Sequence, residues 1–192
     1  KISMFTNVTV DDVFSCHDAK SIFMIPQMLY EQGLVDVVFK KFAKVGYTNT
    51  STNWDNWNAI VNSLQKTDDA IKIAMVGKYV TLADSYVSVN EALKHSSASI
   101  GRSVNIEWID SETLNGNLEH LDNFDGLLVP GGFGIRGSEG IIDTATYALE
   151  KNIPYLGICF GFQLAAVAFG RKMCNLENAN STEIVSDTTN PI

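Results

Sequence analysis

From Ile71 onward the sequence alternates between short apolar runs and longer stretches with helical spacing. The order is IKIAMVG (Ile71–Gly77), 85–99, VNIEWID (Val104–Asp110), FDGLLVP (124–130), Ser138–Lys151, IPYLGI (153–158) and 160–172. Strands that are apolar on both faces, separated by amphipathic helices, belong in a parallel sheet covered on both sides. The pattern therefore predicts an α/β fold with a doubly wound parallel sheet over residues 71–192.

The first 70 residues read differently. A short buried strand is expected at Ile2–Thr6 and a helix over 21–32, with Ile22, Phe23, Ile25, Met28 and Leu29 largely on one face and Gly33 placed to end it. Pro26 falls about one turn in, where it is tolerated. Residues 1–42 are too few to bury a core of their own. Residues 43–53 are polar and turn-rich and read as a linker. A helix follows with Trp54, Trp57, Ile60, Val61 and Leu64 at helical spacing, which reads as packing. Residues 65–70 form a second connector. The expected organisation is thus 1–42, a linker with a short helix over 43–70, and the α/β domain over 71–192. The chain begins and ends inside what read as structured stretches, so both ends are expected to be cuts through a longer protein.

Charge narrows the function classes. The net charge is −8, and the few basic residues do not cluster, which argues against nucleic-acid binding. No apolar run approaches the ~18 residues of a membrane span. The N-terminal KISMFTNV does not read as a cleavable leader, and the sequons at Asn7, Asn49 and Asn180 are read as chance. Cys16, Cys159 and Cys174 form no C-x-x-C or His-Cys cluster. That argues against disulfides and zinc, and for a reducing compartment.

The sharpest motif is Gly157-Ile158-Cys159-Phe160-Gly161, between a predicted strand and a predicted helix. This is the nucleophile-elbow pattern with Cys in place of Ser. The turn pushes the side chain out at the top of the sheet. The flanking glycines let strand and helix approach, the helix N-terminus favours a thiolate, and the amide of Phe160 faces a developing oxyanion. A buried structural Cys between two packing glycines is the plainer alternative.

Pro130-Gly131-Gly132-Phe133-Gly134-Ile135-Arg136-Gly137 follows the strand DGLLV. Its G-x-G-x-x-G is a poor dinucleotide fingerprint, because Pro130 and Gly131 intervene, the strand is not the first, and no acidic residue ends the next strand. The absence of G-K-[ST] excludes a P-loop. Such a glycine-rich loop can instead lend backbone amides to a neighbouring site. Glu177–Glu183 reads as a polar loop. Lys78, after the first strand, reads as a solvated turn residue, although the cluster of Lys78, Tyr79, Asp84, Tyr86, Glu91 and His95 also suits a ligand or domain interface. A cysteine nucleophile needs a base, usually His. His17, His95 and His120 all precede Cys159 in segments read as loop or helix, and none is a strong candidate.

Taken together, KIAMVGKY, DSYVSVNEALKH, WIDSE, LLVPGGFGIRGSEG, IPYLGICFGFQLA and ENANSTE, in this order, resemble the class I glutamine amidotransferases and, within them, the CTP synthase family. KISMFTNV, DAKSIFMIPQMLYEQGL and VFKKF resemble the end of that family's synthetase domain. The likeness is weakest over 43–70. It implies a sheet of class I amidotransferase type, incomplete at its C-terminus and preceded by part of a synthetase domain.

The resemblance further implies ATP-dependent amination of UTP to CTP with ammonia from L-glutamine. It implies Mg²⁺, GTP as activator, a cytoplasmic homotetramer, and no cofactor bound by the residues of this chain itself. Cys159 matches the nucleophile, Gly132 and Phe160 the oxyanion donors, and Phe160, Gly161, Phe162, Gln163 and Glu183 the glutamine site. Phe133 would pack on substrate, and Arg136 matches an arginine tied to GTP activation. Phe160 and Phe162 stand where Leu and Met are usual, and Ile184 where Phe is usual. The family's H-x-E base pair lies well downstream of the nucleophile, and no H-x-E occurs among residues 160–192, so the chain alone is expected to be inactive. The competing readings are another class I amidotransferase-like cysteine hydrolase and a non-catalytic assembly module.

Overall fold

The computed structural model describes residues 1–42, 53–65, 69–80, 83–114 and 116–192. The chain divides into two compact units, Lys1–Gln65 and Lys66–Ile192. Residues 43–52 of the expected 43–53 linker and 66–68 of the 65–70 connector lie outside the described residues, as does the sequon at Asn49.

The first unit is helical: α1 (Ile2–Thr6), α2 (Ile25–Glu31), α3 (Leu34–Phe42) and α4 (Asp55–Leu64). The strand expected at Ile2–Thr6 is a helical turn instead. No strand among the described residues of this unit pairs with it. Its backbone therefore satisfies itself locally, with the Phe5 amide donating to Lys1 O and the Thr6 hydroxyl to Ile2 O. It is not buried either: Met4 is 84% and Phe5 89% exposed.

α2 lies inside the expected 21–32 helix, with Pro26 in its first turn and Gly33 (φ 83°) ending it. α4 packs against this segment. Trp57 Nε1 donates to Phe23 O at 2.7 Å, and Trp54 meets Tyr30 edge-on with ring centroids 5.2 Å apart. No residue of 1–42 is buried, and in α4 only Val61 and Ser63 are.

The second unit carries the sheet. Strands β1 (Ile71–Gly77), β2 (Val104–Asp110), β3 (Gly126–Val129) and β4 (Tyr155–Gly157) are all parallel, in the order β2-β1-β3-β4. Helices α5 (Val87–Ile100), α6 (Ser138–Lys151) and α7 (Phe160–Met173) connect or follow them. Alternation along the strands sends side chains to two separate cores. Ala74, Val76, Leu127 and Val129 join Ile141, Ile142, Ala145, Leu164, Val167 and Ala168 of α6 and α7. Met75 and Leu128 join Tyr86 and, from α5, Val89 and Leu93. The sheet is therefore covered on both faces, as its apolar strands require.

The chain runs from β1 out to β2 and then back past β1 to β3. The connection reverses beside β1, and in such sheets the crevice outside the carboxyl ends of the strands at this point holds ligands. Lys78, the 130–137 loop and Cys159 follow β1, β3 and β4 respectively, so all three stand at that end. A short parallel pair, β5 (Ala179–Asn180) with β6 (Asn190–Pro191), fastens the C-terminal segment.

Candidate active site

Cys159 sits between β4 and α7 at φ 52°, ψ −108°. A residue with a side chain adopts this conformation only under strain. The surroundings impose it. The Ile158 amide donates to Val129 O at 2.9 Å, which carries the β3–β4 ladder to the residue before the turn. One residue later the chain is already helical, with the amides of Phe162 and Gln163 both donating to Cys159 O at 3.0 Å. The elbow therefore reverses within a single residue, and the thiol is left exposed.

The Gly161 amide donates to Ile158 O. Of the first four amides of α7, only that of Phe160 has no acceptor among the described residues, as helix geometry leaves N-terminal donors open. The Phe160 ring itself is buried in the main core.

The glycine-rich loop comes to this elbow. A Cβ built on Gly131 would lie 3.7 Å from Cys159 Cβ, and one on Gly132 would lie 3.9 Å from the Phe160 ring. The Gly132 amide likewise has no acceptor among the described residues. Two amides without acceptors among the described residues, from different strand-to-helix connections, thus belong to residues that pack around the elbow. Phe133 (75% exposed) and Phe162 (67% exposed) extend into solvent from the loop and from α7.

Lys78 overturns the expectation of a solvated turn residue. It is only 5% exposed. Its Nζ donates to Phe133 O at 3.1 Å and to Gly134 O, and lies 4.4 Å above the centre of the Phe160 ring. Burial pushes its pKa below the usual lysine value, and neighbouring Arg136 pushes the same way against Glu112. The wider cluster around it divides: Tyr86 is a core residue, stacked at a tilt on Trp108 and accepting from the Tyr79 amide, whereas His95 is exposed on α5.

Arg136 braces the same loop from outside. Its Nη2 donates to Lys78 O at 3.1 Å and its Nη1 pairs with Glu112 at 2.7 Å, while more than half of its side chain stays exposed. Tyr155 on β4 donates from its hydroxyl to Gly161 O at 2.9 Å, and burial raises its pKa. Sequence reasoning did not single it out.

Gln163 is exposed on the first turn of α7. Glu183 is exposed in the segment after β5, its amide donating to Ser181 Oγ at 3.3 Å. Among the described residues no hydrogen bond or ion pair joins its carboxylate to the elbow. His120 lies in the 3₁₀ turn Glu119–Asn123 that leads into β3, hence at the amino end of the sheet, opposite Cys159. No group of His, Cys, Asp and Glu among the described residues could hold a metal ion.

Residues 81–190 match the family described as glutamine amidotransferase class-I. The chain belongs to this family. As a class I amidotransferase it has its elbow and glycine loop within the matched region. It is also 41% identical over 196 residues to a CTP synthase of Methanopyrus kandleri and 44% identical over 193 residues to a CTP synthase of Thermococcus kodakarensis. All of this chain aligns in each case, but it spans only 36% of the relatives' length. Among solved structures it is similar to the glutaminase domain of the Trypanosoma brucei enzyme with bound acivicin. The TM-score there is 0.59 at 35% identity, over 63% of this chain and 48% of that one. The α/β fold with its parallel sheet agrees with that neighbour.

Proposed function

We propose that this amidotransferase chain carries the glutamine-hydrolysing half of a CTP synthase, with Cys159 as nucleophile. The observation that carries the reading is the strained, exposed Cys159 at an elbow met by the glycine loop, with no acceptor among the described residues for the amides of Phe160 and Gly132. The Cys159 thiolate attacks the side-chain amide carbon of L-glutamine. The carbonyl oxygen becomes an oxyanion and accepts from the two amides. Collapse of the intermediate forms the glutamyl thioester and releases ammonia once its nitrogen is protonated, and water then releases glutamate. Phe133, Phe162, Gln163 and Glu183 line the glutamine site around Gly161 in this reading.

The base and acid of this cycle come from a histidine–glutamate pair, and no histidine follows Cys159 in this sequence. In the full-length protein the ammonia aminates UTP to CTP at the expense of ATP, with Mg²⁺, and GTP acts at Arg136. The expected domain organisation, 1–42 from the synthetase domain and 71–192 from the glutaminase domain, belongs to the same proposal, as do a homotetramer and a cytoplasmic location. No helix among the described residues is long and apolar enough to cross a membrane. The exposed apolar side chains of α1 suit an assembly role beside the catalytic one.

Selective labelling tests the reading. Cys16, Cys159 and Cys174 are all exposed, so a small neutral thiol reagent should reach all three. A glutamine-mimicking electrophile should label Cys159 alone, because the proposed oxyanion donors belong to its elbow and to the glycine loop that meets it. Label on Cys174 instead would remove the mechanism.

A further inference from the structure

Gly132 and Phe160, whose amides are the proposed oxyanion donors, come from separate connections, and one buried side chain reaches both residues. The stem of Lys78 runs beside Gly132, where a Cβ would lie 3.7 Å from Lys78 Cδ. Its ammonium lies 4.4 Å over the Phe160 ring. The same ammonium donates to Phe133 O at 3.1 Å and to Gly134 O, the carbonyls directly after Gly132. The backbone of Lys78 is itself anchored, as the residue after β1 and as acceptor for Arg136 Nη2 at 3.1 Å.

We propose that Lys78 is a positioning residue for the glutaminase chemistry, clamping the Gly131–Gly134 backbone against Phe160 so that the two oxyanion donors keep a fixed separation. A loop with glycines at 131, 132 and 134 has little conformational preference of its own. Peptide carbonyls that point inward must find a donor or lose stability. Lys78 supplies that donor at two consecutive carbonyls. It thereby selects one loop conformation among many, and oxyanion stabilisation depends on donors already in place when charge develops. Burial of the amine makes sense on these terms: an ammonium that is not solvated is directed wholly at the loop and the ring.

The proposal rests on the glutaminase reading, and its test separates the two. In the full-length protein, the rate of Cys159 alkylation by acivicin is resolved into a binding constant and a maximal inactivation rate. It is compared with the rate for methyl methanethiosulfonate, a neutral reagent whose reaction builds no charge facing the two amides, whereas thiolate attack on the C=N carbon of acivicin builds negative charge on the ring nitrogen, which stands in for the oxyanion until chloride leaves. Lys78→Met should lower the maximal acivicin rate by about tenfold or more, part of the ~10²–10³-fold that loss of an oxyanion donor costs. The binding constant and the methanethiosulfonate rate should stay within about twofold, and Lys78→Arg should recover part of the loss.

If Lys78→Met does not fold, Lys78→Gln, which keeps a shorter donor, should show the same selective loss to a smaller degree. Equal loss toward both reagents, or loss in binding alone, would overturn the positioning role. Failure of acivicin to label Cys159 in the unsubstituted protein would overturn the glutaminase reading instead, whatever Lys78 does.

Discussion

Gly161 lies directly beneath Val129: a Cβ on Gly161 would come within 2.3 Å of the Val129 carbonyl oxygen and 2.8 Å of its Cγ1. This contact sets how closely α7 approaches β3, and therefore where the elbow presents Cys159. The obstructing atom is backbone, so it cannot turn aside as a flexible side chain would. Gly161→Ala should destabilise the fold by ~1–3 kcal/mol, the usual range for overpacking. Urea unfolding of the variant should show the fall in midpoint. An unchanged midpoint would mean that α7 is free to shift.

The backbone of Cys159 predicts a conflict between stability and chemistry. At φ 52°, ψ −108° a Cβ is strained by ~1–3 kcal/mol. Glycine relieves that strain, less ~0.5–1 kcal/mol for its greater freedom when unfolded. Cys159→Gly should therefore melt at a higher temperature than Cys159→Ala, although both lose glutamine turnover. Equal melting temperatures would show that the elbow stores no strain.

Arg136 connects the glycine loop to Glu112 while exposing more than half of its side chain. On the proposed CTP synthase reading, that exposed part would serve the GTP response. Arg136→Ala should weaken GTP activation of glutamine-dependent CTP formation more than it changes ammonia-dependent formation. Loss of both activities to the same extent would count against this role and point to a structural one.

The 192-residue chain by itself should hydrolyse glutamine poorly. It supplies the thiol and the two amide donors, but ammonia leaves slowly without an acid, and general acid–base help is typically worth ~10²–10⁴-fold. Ammonia release should rise when a separately made segment bearing the histidine–glutamate pair is added. Full turnover by the chain alone, surviving substitution of His17, His95 and His120, would show that the base lies elsewhere.

Much of this was legible in the sequence. Strands Ile71–Gly77 and Val104–Asp110 could be bounded by their mostly apolar runs, broken at Lys72, Asn105 and Glu107, and helix Ser138–Lys151 by its period, because burial against the sheet leaves a pattern that local sequence carries. The elbow at Cys159 was visible for the same reason: strand, glycine, nucleophile, glycine and helix are contiguous, and their geometry is local.

What the tertiary structure alone decided depends on residues far apart in the chain. Ile2–Thr6 is as apolar as a strand, but a strand needs a partner for its backbone, and with none among the described residues of its unit it coils into a helical turn. Lys78 has the composition of a surface turn. Only the return of the chain past β1 to β3 brings the carbonyls of Phe133 and Gly134 onto its ammonium and the Phe160 ring beneath it. Those partners lie 55 and more residues away. Periodicity reports which face of an element is buried, whereas the strand order determines which loops meet above the sheet.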